Sequence, residues 1–234
     1  MYRAAVVDLI KNQTRRLMNP QPQGEGWEPQ PGPCYSYAPA IECKDGMLDA
    51  GPGVYGIATE DAGWIATYGP PGTILPVVTT WAVNRCLDHK KPSELFEPAT
   101  LWWDDGTPKP EWAGKSRPAM FFPKHLYPLA RQAKVVSVKA EPVQSISEED
   151  AVAEGITRRP SERWTDRLVY LDYSYHGTPD DLNDREWFQR SRDSFRTLWD
   201  SINAERGKGA LKGQYAWKRN PWVFATTFEV LPAE

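Results

Sequence analysis

Proline density constrains this chain before anything else does. Between Asn19 and Cys34, the stretch NPQPQGEGWEPQPGPC places five prolines in sixteen residues. Each proline fixes its own φ, removes a backbone donor and disfavours helix in the residue before it. No long helix or central strand survives such a run. A loop over residues 19–53 is expected, held to the body by Trp27, Tyr35 and Tyr37.

The core must then come from short elements elsewhere. Tyr2, Val6, Leu9 and Ile10 fall on one helical face, so residues 2–10 read as a helix, which KNQTRRL from Lys11 continues or ends. VYGIA (54–58), WIATY (64–68) and TILPVVTTWAV (73–83) read as strands, with Pro76 marking an edge or a bulge. Residues 84–118 read as an insertion with turns at DDG and PKP. KVVSVKAEPV (134–143) reads as a half-buried strand with Val136, Val138 and Ala140 on one side. Ser147 is an N-cap and Gly155 a stop, which frame a helix over 148–154. Glu154 then lies in the last turn, where a carboxylate is mildly unfavourable. The longest helix is expected over 184–206, with Phe188, Phe195, Leu198, Trp199 and Ile202 buried. A strand over 222–231 closes the chain. The pattern predicts one α+β domain over 1–234, a small barrel or curved sheet with flanking helices and loop-rich insertions.

Eleven Trp, ten Tyr and seven Phe can fill such a core, since each buried aromatic removes roughly 150–250 Å² from water. The net charge of −3 excludes a generic basic nucleic-acid coat, so any phosphate site must be local. Cys34, Cys43 and Cys86, with His89, His125 and His176, have no ligand-like spacing. Reduced thiols, no metal and no cofactor are expected. GKGALKG lacks the spacing of a phosphate-binding P-loop. No apolar run reaches 18 residues and no leader is evident, so no membrane partner and a cytoplasmic location are expected, in a bacterium or a phage-infected host.

Two readings of Lys11, Arg15 and Arg16 stand side by side. They are a solvated cluster at a helix end, or they line a groove with Thr14. Trp27, Trp64, Trp102, Trp103 and Trp112 could stack a base or plug the core. Trp81 sits in a regular element and is both a core and a ligand-stacking candidate. Lys208, Lys212, Lys218 and Arg219 form a basic loop that could meet phosphates or be merely solvated.

Four segments in order carry a family resemblance. KNQTRRL resembles the Lys-x-x-Thr-Arg-Arg signature of ASCH-domain proteins, in the PUA-like superfamily. SISEEDAVAEGI is similar to the helix after the barrel strand in that family. FRTLWDSINAERG with NPWVFATTFEV resembles the last helix and strand of its phage and prophage members, and YGPPGTILPVVTTW more weakly resembles an internal strand. The resemblance implies a PUA-like β-barrel with a groove that binds nucleic acid or a modified nucleoside. It also implies, as an alternative, an amidohydrolase that removes the acyl group of N4-acetylcytidine, with Lys11, Thr14 and Glu154 as its catalytic residues. Arg15, Arg16, Trp81, Lys218 and Arg219 are then the ligand-binding candidates. A third expectation is a phage accessory protein whose Trp- and Pro-rich insertions meet a host protein.

Overall fold

The computed structural model describes residues 11–22, 32–37, 40–42, 44, 47–50, 53–59, 63–96, 100–104, 106–161, 167–174, 187–207 and 212–232. The helix expected over 2–10 lies outside them, as do Trp27, Cys43, His176 and Lys208.

The strands are β1 Gln13–Leu17, β2 Gly32–Pro33, β3 Tyr35–Tyr37, β4 Ala40–Glu42, β5 Leu48–Ala50, β6 Val54–Thr59, β7 Gly63–Ala66, β8 Ile74–Val77, β9 Trp81–Val83, β10 Leu101–Trp103, β11 Arg131–Pro142, β12 Arg158–Pro160, β13 Leu168–Leu171, β14 Trp187–Phe188 and β15 Trp222–Val230. The α-helices are α1 Glu148–Ala153 and α2 Ser191–Asn203. The fold is α+β. Among the described residues the strands form separate sheets, none of which closes into a barrel. No described helix is long and apolar enough to cross a membrane.

The largest sheet runs β1-β15-β11-β2, with β8 also pairing to β11. All its pairings are antiparallel. The segment Gln13–Leu17 is therefore a strand, against the expectation that the cationic cluster prolongs a helix. Backbone pairing with β15 supplies its hydrogen bonds: Gln13 faces Thr227, Thr14 faces Thr226 and Arg16 faces Phe224. Local propensity is a weak prior that such pairing overrides.

β11 carries a bulge. Val135 pairs with Phe228 and Ser137 with the next residue, Thr227, so Val136 is the extra residue. The bulge shifts the alternation by one. Val135, Val138 and Ala140 therefore share a core, while Val136 is 51 % exposed, which corrects the expected Val136–Val138–Ala140 face.

Each face of this sheet has its own core. On one, Met18, Val135, Val138, Ala140, Trp222 and Phe224 pack with Cys34, Ile57 and Ile65. Burial pushes the Cys34 thiol up to about 12, so it remains a protonated thiol there. On the other face, Val223 and Val143 pack with Ala151 of α1 and with Phe195 and Trp199 of α2. α1 begins and ends as its sequence predicts. Ser147 Oγ accepts from the Asp150 N–H at 3.0 Å, and Gly155 adopts φ +78°. α2 starts at Ser191 rather than 184. Phe188 lies in β14, and Ile202 is 40 % exposed.

A third core belongs to the segment around the insertion. Trp81 and Val83 pack with Leu95, Phe122 and Leu126. Trp81 is completely buried. Its Nε1 donates to the Pro118 carbonyl, and its ring meets Phe122 edge-on at 5.1 Å. It has no surface to offer a ligand, which corrects its candidacy as a stacking residue.

Candidate functional site

β1 sorts its side chains by simple alternation. Gln13 and Arg15 are buried toward the helices, and Thr14 and Arg16 point to the opposite face. The two arginines are neighbours in sequence and do different things.

Arg15 is fully engaged. Its Nε and Nη2 both donate to Glu141 Oε1, at 3.1 and 2.7 Å, and Nη2 also reaches Asp150 Oδ2 at 2.9 Å. Its Nη1 donates to Gln13 Oε1 at 2.6 Å and to Glu154 Oε1 at 3.3 Å. The guanidinium carbon also lies 6.0 Å from the centre of the Phe195 ring. No part of its side chain is exposed. The expectation that Arg15 faces a ligand is therefore corrected: it ties β1 to β11 and α1.

Lys11 joins this network at its edge. Its Nζ donates to the backbone carbonyl and to Oε2 of Glu154, each at 2.8 Å, with both residues 5 % exposed. Lys139 adds a third cation, 2.9 Å from Glu141 Oε2 and 3.6 Å from Asp150 Oδ2. Three cations thus meet three carboxylates, and the cluster is neutral. Such compensation is what allows charges to be buried. Burial alone would raise the Asp150 carboxyl, but Arg15, Gln13 and Lys139 outweigh it and hold it below its ordinary value. The unfavourable position of Glu154 at the end of α1 is offset here, because Lys11 and Arg15 each take one of its oxygens.

On the other face of the sheet is a cavity of about 490 Å³. Small-molecule sites commonly measure roughly 300–1,000 Å³. Its polar wall is Lys11, Thr14, Arg16 and Thr226. Its apolar wall comes from Leu75, Pro76, Val77 and Val78 on one side and Ala133 and Phe228 on the other, with Tyr68 and Tyr127 completing it. Lys11 thus touches both the cavity and the charged cluster. Glu154 does not line the cavity and stands behind Lys11. Arg16 is exposed, and among the described residues no carboxylate pairs with it. Thr14 and Thr226 are register partners. Thr226 is 2 % exposed, and its buried Oγ1 has no hydrogen-bond partner among the described residues. An unpaired buried hydroxyl costs about 1–3 kcal/mol.

Lys218 and Arg219 are exposed on a 3₁₀ turn, Trp217–Arg219, and do not line this cavity. Among the described residues no group of three or more His, Cys, Asp or Glu is placed to hold a metal. Reading the sequence alone missed Glu141, Asp150 and Thr226. The signal for Thr226 was the alternation in WVFATTFEV, which sets Phe224, Thr226 and Phe228 on one side.

No family model matches the chain, and no curated protein or solved structure gives a match.

Proposed function

We propose that the chain binds a modified nucleoside, or an unpaired base of a nucleic acid, in the cavity between β1 and β8, as an ASCH-like module on a PUA-like curved sheet. One observation carries this reading. Lys11, Thr14 and Arg16, from one end of the chain, meet Thr226 of the last strand around a single space large enough for a heterocycle and its sugar. Two hydroxyls, an ammonium and a guanidinium set in apolar walls suit a flat, polar-edged ligand. Arg16 at the exposed rim suits a phosphate or another anion. The order of the segments resembling ASCH proteins supports the same ligand class.

Titration calorimetry with modified nucleosides and short single-stranded RNA and DNA tests this at low salt, where phosphate contacts are strongest. Binding of every ligand that weakens in Thr14→Val, with binding of the phosphate-bearing ligands weakening also in Arg16→Gln, is the expected result. No binding, or binding indifferent to both changes, overturns it.

Hydrolysis of an N4-acyl cytosine is the second reading, favoured by the Lys11–Glu154 contact beside Thr14. In that reaction the Thr14 oxygen attacks the acyl carbon. Its proton goes to the departing amino nitrogen as the C–N bond breaks, and water then releases the acid from the threonine ester. No hydrogen bond joins Lys11 to Thr14 among the described residues, and unliganded sites are often loose in this way. Turnover of N4-acetylcytidine that disappears in Thr14→Val supports this reading, and full turnover in that variant rejects it.

A further inference from the structure

We infer that Thr226 is a specificity-determining residue, whose hydroxyl binds a neutral donor–acceptor edge of the ligand's heterocycle. This rests on reading the cavity as a nucleoside site. The hydroxyl is buried and has no partner among the described residues. The polar groups around it are spent elsewhere. On the far face of the sheet, the Gln13 amide donates to Asp150 and Thr227, and the Lys11 ammonium donates to Glu154. Among the cavity's polar groups, the unspent ones are thus Thr14, directly across the strand pair, the exposed Arg16, and the hydroxyls of Tyr68 and Tyr127.

A valine would fill the same volume without leaving a polar group unpaired, so the hydroxyl is a liability to the empty protein. It becomes an asset when an occupant bonds to it. A 120° rotation about χ1 carries Oγ1 to another staggered position, which is the movement needed to present it to that occupant. A hydroxyl both donates and accepts. Two hydroxyls on adjacent strands, with Cβ atoms about 4.5–5.5 Å apart, span one edge of a heterocycle. They suit the alternating donors and acceptors of a nucleobase better than a hydrocarbon, which would leave Thr226 unpaired. An anion is better served at Arg16.

The test uses the full chain, with cytidine, uridine, adenosine, guanosine and N4-acetylcytidine as probes. Thr226→Ser and Thr226→Ala both lose the methyl and differ only in the hydroxyl. Thr226→Val keeps the volume. The Ser variant is expected to bind the preferred nucleoside as the wild type does, and the Ala and Val variants about tenfold more weakly, the loss of one hydrogen bond. Unliganded Thr226→Val is expected to melt roughly 2–4 °C higher. Opposite signs in stability and affinity mark a group kept for the ligand. Equal affinity in the Ser and Ala variants overturns the role of Thr226 and leaves the cavity reading standing. Wild-type protein that binds none of the five overturns the cavity reading and this inference with it.

Discussion

The ammonium of Lys11 reaches across 143 positions of sequence to donate to both the carboxylate and the backbone carbonyl of Glu154, each at 2.8 Å. One residue ends β1's approach and the other ends α1. The contact therefore fixes the helix against the sheet edge where the cavity begins.

Breaking one side of that pair should be costly. Glu154→Gln leaves Lys11 and Arg15 short of a shared anion in a nearly dry site. We expect a loss of about 3–5 kcal/mol in urea denaturation. Lys11→Met combined with Glu154→Gln should lose less than the two single losses added together, and strict additivity would show that the contact carries no coupling.

Acid should weaken the protein through Asp150. Its folded carboxyl is held below the unfolded value of about 3.9. Its contribution is thus present above that value and disappears as pH falls through the lower folded one. Asp150→Asn should cost about 1–3 kcal/mol at pH 7. The difference between variant and wild type should shrink toward pH 3, measured as urea midpoints across the range. Glu148 is also held low: burial would raise it, but the Ser191 hydroxyl, the backbone N–H groups of Arg192 and Ser191, and Arg190 outweigh that. Some acid sensitivity therefore survives in the variant.

Arg16→Gln should separate binding from folding. The side chain is exposed and unpaired among the described residues, so stability should change by less than about 0.5 kcal/mol. Affinity for a nucleoside monophosphate should fall and depend less on salt, while affinity for the free nucleoside stays the same. Equal effects on both ligands would move the anion elsewhere.

Trp81→Ala should do the reverse. It empties the centre of the third core, and we expect a loss of about 3–5 kcal/mol in urea. Nucleoside affinity measured on the folded variant should be unchanged, because the ring does not line the cavity.

Local chemistry was the part legible in the sequence. Ser147, three acids and Gly155 define α1 without help from the rest of the chain. The strands at 54–58 and 64–68 and the last strand were legible for the same reason, whereas 73–83, read as one strand, is two: β8 pairs with β11 and β9 pairs with β10 in another sheet. β1 was not, because QTRRL has no strand signature of its own and is extended by its pairing with β15. The bulge at Val136 left no mark that alternation could detect, and it moved that valine out of the core. Lys11 and Thr14 stood out as part of a cationic cluster and Glu154 as a carboxylate at a helix end, and the resemblance alone gave the three a shared catalytic role. The roles of Glu141 and Asp150 needed three-dimensional placement, since ion pairs 126 and 135 positions from Arg15 leave no spacing to read.

β1 spells arginine twice in succession, and the pleat sends the two copies to opposite sides of the sheet. Sliding that strand by one position would deliver a guanidinium to the carboxylates all the same, with the other still facing solvent. The arginines themselves are therefore nearly blind to the error, although Lys11 would be drawn off Glu154. Shape is what detects it: Met18, 1 % exposed in the first core, would trade sides with Leu17, which packs against the second. The fidelity of the most polar strand in the molecule thus depends on two thoroughly greasy neighbours.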